Sequence, residues 1–376
     1  MLDEIISLSK QLIKIPSISP LDLGCQKIIS KRLKNIGFFI ENIKINQTNN
    51  LWACKGSGKT LTFVGHTDVV PPGNLKEWEN DPFKPIIKDN FLFGRGVSDM
   101  KGSLSAMIIA TEYFIKKYPF HSGRISFLIT SDEESLACDG TKEIIKILRN
   151  RRENIEYCLV GEPTSENFLG DTIKNGRRGS LSAQLEIYGI QGHIAYPHLA
   201  DNPINNSINF IKDLIFLKLD RGNQFFQPSS LQIFYIKSGK RNISNIIPNS
   251  IKIGFNIRYN TEVTEKEIKK KIGQLLLKNQ SKYKINWIVS GNPFITYSGT
   301  LLEVVKSSIY KVQKLHANLS TSGGTSDGRF FSCMNSEIIE LGLINKTIHK
   351  INECSQINDL YKLCKIYINI LKKLFI

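Results

Sequence analysis

Apolar residues along this chain fall into two rhythms. Short continuous runs bounded by glycine or polar residues predict buried strands: "LTFVG" (61–65), "GRISFLITS" (123–131) and "EYCLVGEP" (156–163). Between them, "GSLSAMIIATEYFIKK" (102–117), entered from Ser98 and Asp99, and "TKEIIKILRN" (141–150) read as helices. Near the start, Leu2, Ile5, Ile6, Leu12 and Ile13 make an amphipathic helical pattern over residues 2–14. Strands alternating with helices predict an α/β layer fold.

After Gly179 the texture changes. "SLSAQLEIYGI" (180–190) alternates as a strand, a helix is predicted near 203–218, and the strands "LQIFYIKSG" and "IKIGFNIRYN" follow. Then come a helix from "TEKEIKKKIGQLLLK" and a strand "YKINWIVSG". That is β-α-β-β-α-β, the ferredoxin-like order. Past "GNPF" (291–294) the α/β texture returns, with a helix near 300–315, the strand "SEIIELGL" and a last helix near 354–374. The expected organisation is a first domain over 1–179, an inserted domain over 180–292, and the remainder of the first domain over 293–376.

A length of 376 residues suits two cores better than one. Asp3 and Glu4 precede any basic residue, a poor start for a secretory signal. No apolar run of roughly 18 residues occurs, so no membrane span is expected, and the chain reads as cytoplasmic. The seven cysteines are scattered without a C-x-x-C pair, which suits reduced thiols rather than a zinc ribbon or redox motif. The net charge of +16 is spread along the chain with no dense basic block, so it reads as lysine-rich solvated faces. No nucleic-acid partner is expected; a lesser role is the steering of an anionic substrate.

Candidate chemistry follows the apolar strands. His66 and Asp68 come after "LTFVG", and Asp99 sits in the glycine-rich "GRGVSDMKG". Asp132, Glu133 and Glu134 follow "ISFLITS", Glu162 follows "YCLVG", and His349 lies shortly after "IIELGL". Taken singly, each is a turn, cap or solvated residue. Taken together, five segments bring acids and imidazoles to the strand ends where open α/β sheets build their sites. Carboxylates so crowded repel unless a cation lies among them. Two imidazoles and three carboxylates suit zinc, and a bridging Asp can serve two ions about 3.5–4 Å apart. Of the neighbours Glu133 and Glu134, one can bind metal while the other stays free as general base. Asp68 is placed to accept the second N–H of His66 and fix its tautomer.

Eight segments, "GHTDVVP", "GRGVSDMKG", "TSDEES", "VGEPT", "KNGRRGS", "QGHIAYPHLADNP", "GGTSDGRF" and "ELGLINKTIHKINE", carry a resemblance over essentially the whole chain. The chain resembles the desuccinylase family that acts on succinylated diaminopimelate. These are dinuclear zinc amidohydrolases of the aminoacylase and carboxypeptidase-like metallopeptidase superfamily. The resemblance implies a zinc-peptidase-like catalytic domain and an inserted ferredoxin-like domain that mediates homodimerisation. It implies two Zn2+ per subunit, with Co2+ able to substitute: His66 and Glu162 on one ion, Glu134 and His349 on the other, Asp99 bridging. Glu133 would be the general base and acid, Asp68 would orient His66, and His193 of the "QGH" segment would stabilise the oxyanion in the other subunit's site. Substrate carboxylates would meet Lys174, Arg177, Asn245, Arg258, Gly324 and Thr325. Asn205 and Leu343 depart from the family pattern without removing a ligand or the base. N-acetylornithine deacetylases and general aminoacylases share the metal motifs, but not "KNGRRGS" and "GGTSDGRF" in this form. A basic nucleic-acid-binding protein on a dead hydrolase scaffold is disfavoured because the base and all five ligands are intact.

Overall fold

The run Leu61–Val64 lies within a strand, Thr60–His66, that is buried at every position. A strand covered on both faces needs such a continuous apolar run rather than an alternating one. The computed structural model describes every residue of the chain except Leu136, Arg241, Gln280 and Ser281. In it, Thr60–His66 pairs in parallel with Gly123–Thr130 on one side and Tyr157–Val160 on the other. Glu337–Glu340 extends the parallel set beyond Tyr157–Val160. These four are the centre of an eight-stranded sheet. Its order is Phe39–Ile45, Thr48–Ser57, Gly123–Thr130, Thr60–His66, Tyr157–Val160, Glu337–Glu340, Thr172–Lys174 and Asn318–Ser320.

Successive strand residues point to opposite faces, and the packing follows that parity. Leu61, Phe63, Phe127, Leu159 and Ile339 enter one large core with the helices Leu2–Ile13, Cys25–Asn35, Gly102–Lys117, Thr300–Gln313 and Ile357–Phe375. Phe63 stacks on Phe127 with ring centroids 5.2 Å apart and meets Tyr367 edge-on at 5.6 Å. Val64, Leu128, Val160 and Ile338 are buried outside that cluster. The helix Thr141–Asn150 packs against Gly123–Thr130 and the turn Asp327–Met334.

The chain divides into two compact units: residues 1–176, 295–320 and 326–376 form one, and 177–294 with 321–325 form the other. The second is β-α-β-β-α-β: Gly179–Tyr188, Pro203–Ile215, Ser230–Ser238, Ser250–Tyr259, Glu265–Lys278 and Lys282–Gly291. Its sheet is antiparallel, in the order Ser230–Ser238, Ser250–Tyr259, Gly179–Tyr188, Lys282–Gly291. Leu181, Ala183, Leu185 and Ile187 alternate into a core with Phe210, Leu214, Ile268 and Ile272 of its helices. Thr264 and Glu267 form a reciprocal capping box that starts the second helix.

Two boundaries differ from the sequence reading. The last helix starts at Ile357, because Cys354–Gln356 pairs as a strand with Phe91–Phe93. Ser98 and Asp99 do not cap the helix Gly102–Lys117. They lie in a wide turn, Val97–Lys101, where Asp99 is non-helical at φ −127°, ψ 90°, and the Asp99–Met100 peptide is cis. Among the described residues no helix is long and apolar enough to cross a membrane. Replacing Phe63 by Ala removes a ring from the central strand. Urea unfolding followed by circular dichroism is expected to show a loss of about 3–5 kcal/mol.

Candidate metal centre

Parallel strands end at a common edge, and this sheet uses that edge. His66 closes its strand opposite Thr130, the residue after which the chain runs on to Asp132, Glu133 and Glu134. Val64 is level with Val160, and Glu162 follows two residues later. Glu340 pairs with Val160, and the loop beyond it carries His349. Glycine precedes both His66 and Glu162 for a steric reason. A Cβ on Gly65 or on Gly161 would lie 2.5 Å from the terminal methyl of Met100.

Seven of the residues singled out from the sequence meet here. His66 Nδ1 is 2.9 Å from the main-chain carbonyl of Asp68 and donates to it, which turns Nε2 towards the acidic groups. The Asp68 carboxylate was expected to take that N–H. It lies 3.6 Å away and instead accepts the backbone N–H groups of Glu133, at 3.1 Å, and Glu134, at 3.0 Å. The physical reason is reach: two residues past the strand end, the carbonyl faces the ring while the side chain faces the acidic turn. His66 Nε2 points at Asp99 Oδ1, 3.2 Å away, and at Glu162 Oε1, 3.6 Å away. Asp99 Oδ2 is 3.2 Å from His349 Nε2, which is also 3.0 Å from Glu134 Oε1. Asp99 thus offers one oxygen to each imidazole. His349 is held in left-handed backbone at φ 60°, a conformation that persists only where its surroundings impose it.

The electrostatics show what this arrangement lacks. Burial pushes the Glu133 and Glu162 carboxyls well above the usual range, with Asp327 and Asp99 respectively adding to it, and raises Glu134 as well. Burial would lower His66, but Asp99, Asp68 and Glu162 hold it well above its ordinary value. Hydrogen bonds to Asp99 and Glu134 push His349 up to about 10. Burial opposes the ionisation of Asp99, yet hydrogen bonds from the two imidazoles keep it below the usual carboxylate range. The raised carboxyls and imidazoles all favour added positive charge at one point. Glu162 Oε1 is buried with no hydrogen-bond partner among the described residues, 3.6 Å from His66 Nε2. A buried carboxylate oxygen left in this way needs a proton or a cation beside it. Imidazole and carboxylate donors without thiolate suit zinc and similar divalent ions. Ligand atoms of His66, Asp99 and Glu134 lie within 4.8 Å of one another, as do those of His66, Glu133 and Glu162. The donors therefore fit a metal ion, and the two groups share His66, with Glu133 on the Glu162 side.

Lys174 is buried and donates to the Ser320 hydroxyl at 2.9 Å. Arg177 Nη1 donates to the carbonyls of Ser322, at 2.9 Å, and Gly324, at 3.1 Å, and so holds the segment that carries Gly324 and Thr325. His193 is exposed on a short ribbon where it pairs with Ile246, and the Asn245 carbonyl accepts from the Ile194 N–H on the same ribbon. Arg258 is on a separate strand, level with Ser180 and Ser230. Sequence reasoning passed over four charged groups. Asp327 and Arg329 act on Glu133 with opposite signs, and both stood in the quoted "GGTSDGRF". Arg95 and Glu353 form a buried pair at 2.8 Å beneath the Asp99 turn. Nothing in their spacing, 258 residues apart, signals the contact.

The model of peptidase family M20/M25/M40 matches residues 62–373 of the chain. A succinyl-diaminopimelate desuccinylase of Buchnera aphidicola subsp. Baizongia pistaciae is 58% identical over 371 residues, 99% of this chain and 98% of that protein. Among solved structures, an M20 family metallo-carboxypeptidase from Sulfolobus solfataricus superposes with a TM-score of 0.83 at 18% identity, covering 98% of this chain and 99% of that one. A dinuclear metal-binding peptidase of the M20 family from Bacillus subtilis superposes with a TM-score of 0.72 at 12% identity, covering 98% and 97%. At such identities the two structures establish a shared fold.

A cation that binds the folded centre raises stability by about 2.7 kcal/mol at a hundredfold excess over its dissociation constant. Protein stripped with a chelator is expected to melt several degrees higher when zinc is restored, and Asp99→Asn to lose most of that gain. Differential scanning fluorimetry checks this, and an unchanged melting curve would count against a cation site here.

Proposed function

Because this chain belongs to peptidase family M20/M25/M40, we propose that it hydrolyses N-succinyl-LL-2,6-diaminopimelate to succinate and LL-2,6-diaminopimelate. It is a hydrolase acting on a linear amide, and the 58% identity across 99% of the chain carries the choice of substrate. The convergence of His66, Asp99, Glu134, Glu162 and His349 on one sheet edge carries the choice of chemistry. The product serves lysine and peptidoglycan precursor synthesis in the cytoplasm.

Two Zn2+ per subunit, with Co2+ able to replace them, would supply Lewis acidity to polarise the amide carbonyl and acidify the attacking water. His66 and Glu162 would hold one, Glu134 and His349 the other, and Asp99 would serve both. Glu133 accepts the water's proton as the amide carbon is attacked, then delivers it to the leaving amine nitrogen, so protons balance over the cycle. Asp68 fixes the acidic turn through the Glu133 and Glu134 amides and orients His66 through its carbonyl. His193 donates a hydrogen bond to the developing oxyanion. In a homodimer formed through the inserted domain, that histidine serves the other subunit's site. Lys174, Arg177, Asn245, Arg258, Gly324 and Thr325 meet the carboxylates of the substrate, Arg177 by holding the 322–324 carbonyls in place.

Release of succinate from the succinylated diamino diacid is expected, abolished by chelator, with little turnover of acetylornithine assayed alongside. Glu133→Ala is expected to retain both ions by metal analysis and to lose turnover; a near-native rate would remove Glu133 as base. His193→Ala should lower kcat by roughly two to three orders of magnitude, the loss of about 3–4 kcal/mol typical of one oxyanion donor. Size-exclusion chromatography should still show a dimer, and unchanged kinetics would leave His193 with a structural role only.

A further inference from the structure

Two ligands of the centre stand on irregular backbone, where no ladder of hydrogen bonds holds them. Asp99 lies in the non-helical turn Val97–Lys101, and His349 in the loop 347–354 that Thr347 closes by donating to the Cys354 carbonyl at 2.8 Å. One side chain ties these segments together. Glu353, 1% exposed, accepts from the Ser98 and Asp99 amides through Oε1, at 2.9 and 3.3 Å. Its Oε2 accepts from the Gly96 amide at 2.9 Å and from Arg95 Nη1 at 2.8 Å. The same Arg95 nitrogen donates to the carbonyl of Lys350, the residue after His349, at 3.1 Å. Arg95, 2% exposed, is stacked on Trp78 with its guanidinium 5.2 Å from the ring.

A buried ion pair is an inefficient source of stability, since apolar groups of the same volume serve as well or better. What a carboxylate offers that they do not is direction. Its four lone-pair sites fix three amides on the approach to Asp99, while the guanidinium fixes the backbone beside His349. Resting on the metal reading above, we propose that Arg95 and Glu353 are positioning residues. They set the separation of Asp99 from His349, and with it the affinity for the ion those two share with Glu134.

Outer partners of metal ligands typically govern affinity by roughly ten- to hundredfold. The test is calorimetric titration of the chelator-stripped, full-length protein with Zn2+. Wild type is expected to take two ions per chain. Glu353→Gln is expected to bind the second ion about ten- to hundredfold more weakly, the first within about threefold, with kcat recovered at raised zinc and KM unmoved. Arg95→Lys keeps a charge for Glu353 but loses the planar guanidinium that stacks on Trp78 and aims Nη1 at Lys350, so a smaller loss in the same direction is expected; it carries the test if Glu353→Gln does not fold. Glu112→Gln breaks the bidentate pair with Arg32 in another part of the molecule, at 2.8 and 2.7 Å, and serves as a control that lowers Tm without moving either affinity. Two ions bound with native affinity by both Glu353→Gln and Arg95→Lys would overturn the proposal. So would an equal loss at both ions that merely tracks Tm and is not rescued by zinc. A wild type that takes up no ion would refute the metal reading itself, an outcome distinct from either.

Discussion

Asp99 is buried, and Glu133, Glu134 and Glu162 are half-buried beside it, at one sheet edge around two imidazoles. Like charges this close cannot all ionise in a desolvated place unless opposite charge is supplied. The imidazoles supply part of it: each is pushed towards its charged form, and Asp99 between them is held ionised. A bound metal ion would resolve the remainder and replace those protons. The rest of the first unit can be understood as a means of holding that unfavourable arrangement in place.

The parallel sheet does most of the holding. Its four central strands run in one direction, so whatever follows each of them arrives at the same edge. Full burial of Thr60–His66 keeps the edge rigid, and Gly65 and Gly161 let Met100 sit against the strand ends beneath the ligands. Where no strand reaches, buried polar groups take over. The Asp68 carboxylate grips the amides of the acidic turn, and Glu353 grips those of the Asp99 turn. The ligands are therefore backed by two carboxylates that bind backbone rather than cation. This division explains why the edge can carry so much negative charge without unravelling: part of it is satisfied by N–H groups from the chain itself.

Much of this was legible in the residue pattern. The apolar runs marked the central strands, and the change from continuous to alternating runs marked the ferredoxin-like order. The acidic and imidazole groups could be placed at strand ends because parallel topology leaves them nowhere else to go. Three things were not legible. Asp68 lies two residues past His66, and that spacing does not reveal whether its carbonyl or its carboxylate meets the ring. Ser98 and Asp99 look like a helix start, but the wide turn there depends on Glu353, which is distant in the chain. The shift of the last helix to Ile357 depends on a strand pairing with Phe91–Phe93. Each of these is set by a partner far away in sequence.

What the amino-acid order determined by itself is the set of local choices: which segments are strands or helices, which faces are apolar, and which donor types stand at the ends. Those follow from side-chain period, burial preference and residue chemistry, all properties of a short window. What only the tertiary structure decided is direction. Both oxygens of Asp99 face an imidazole, His66 presents Nε2 because its Nδ1 is engaged by a carbonyl, and Arg95 reaches Lys350 across a separation no pattern encodes. Hydrogen-bond geometry depends on the positions of both partners, and for these pairs the second partner is supplied by the folded chain.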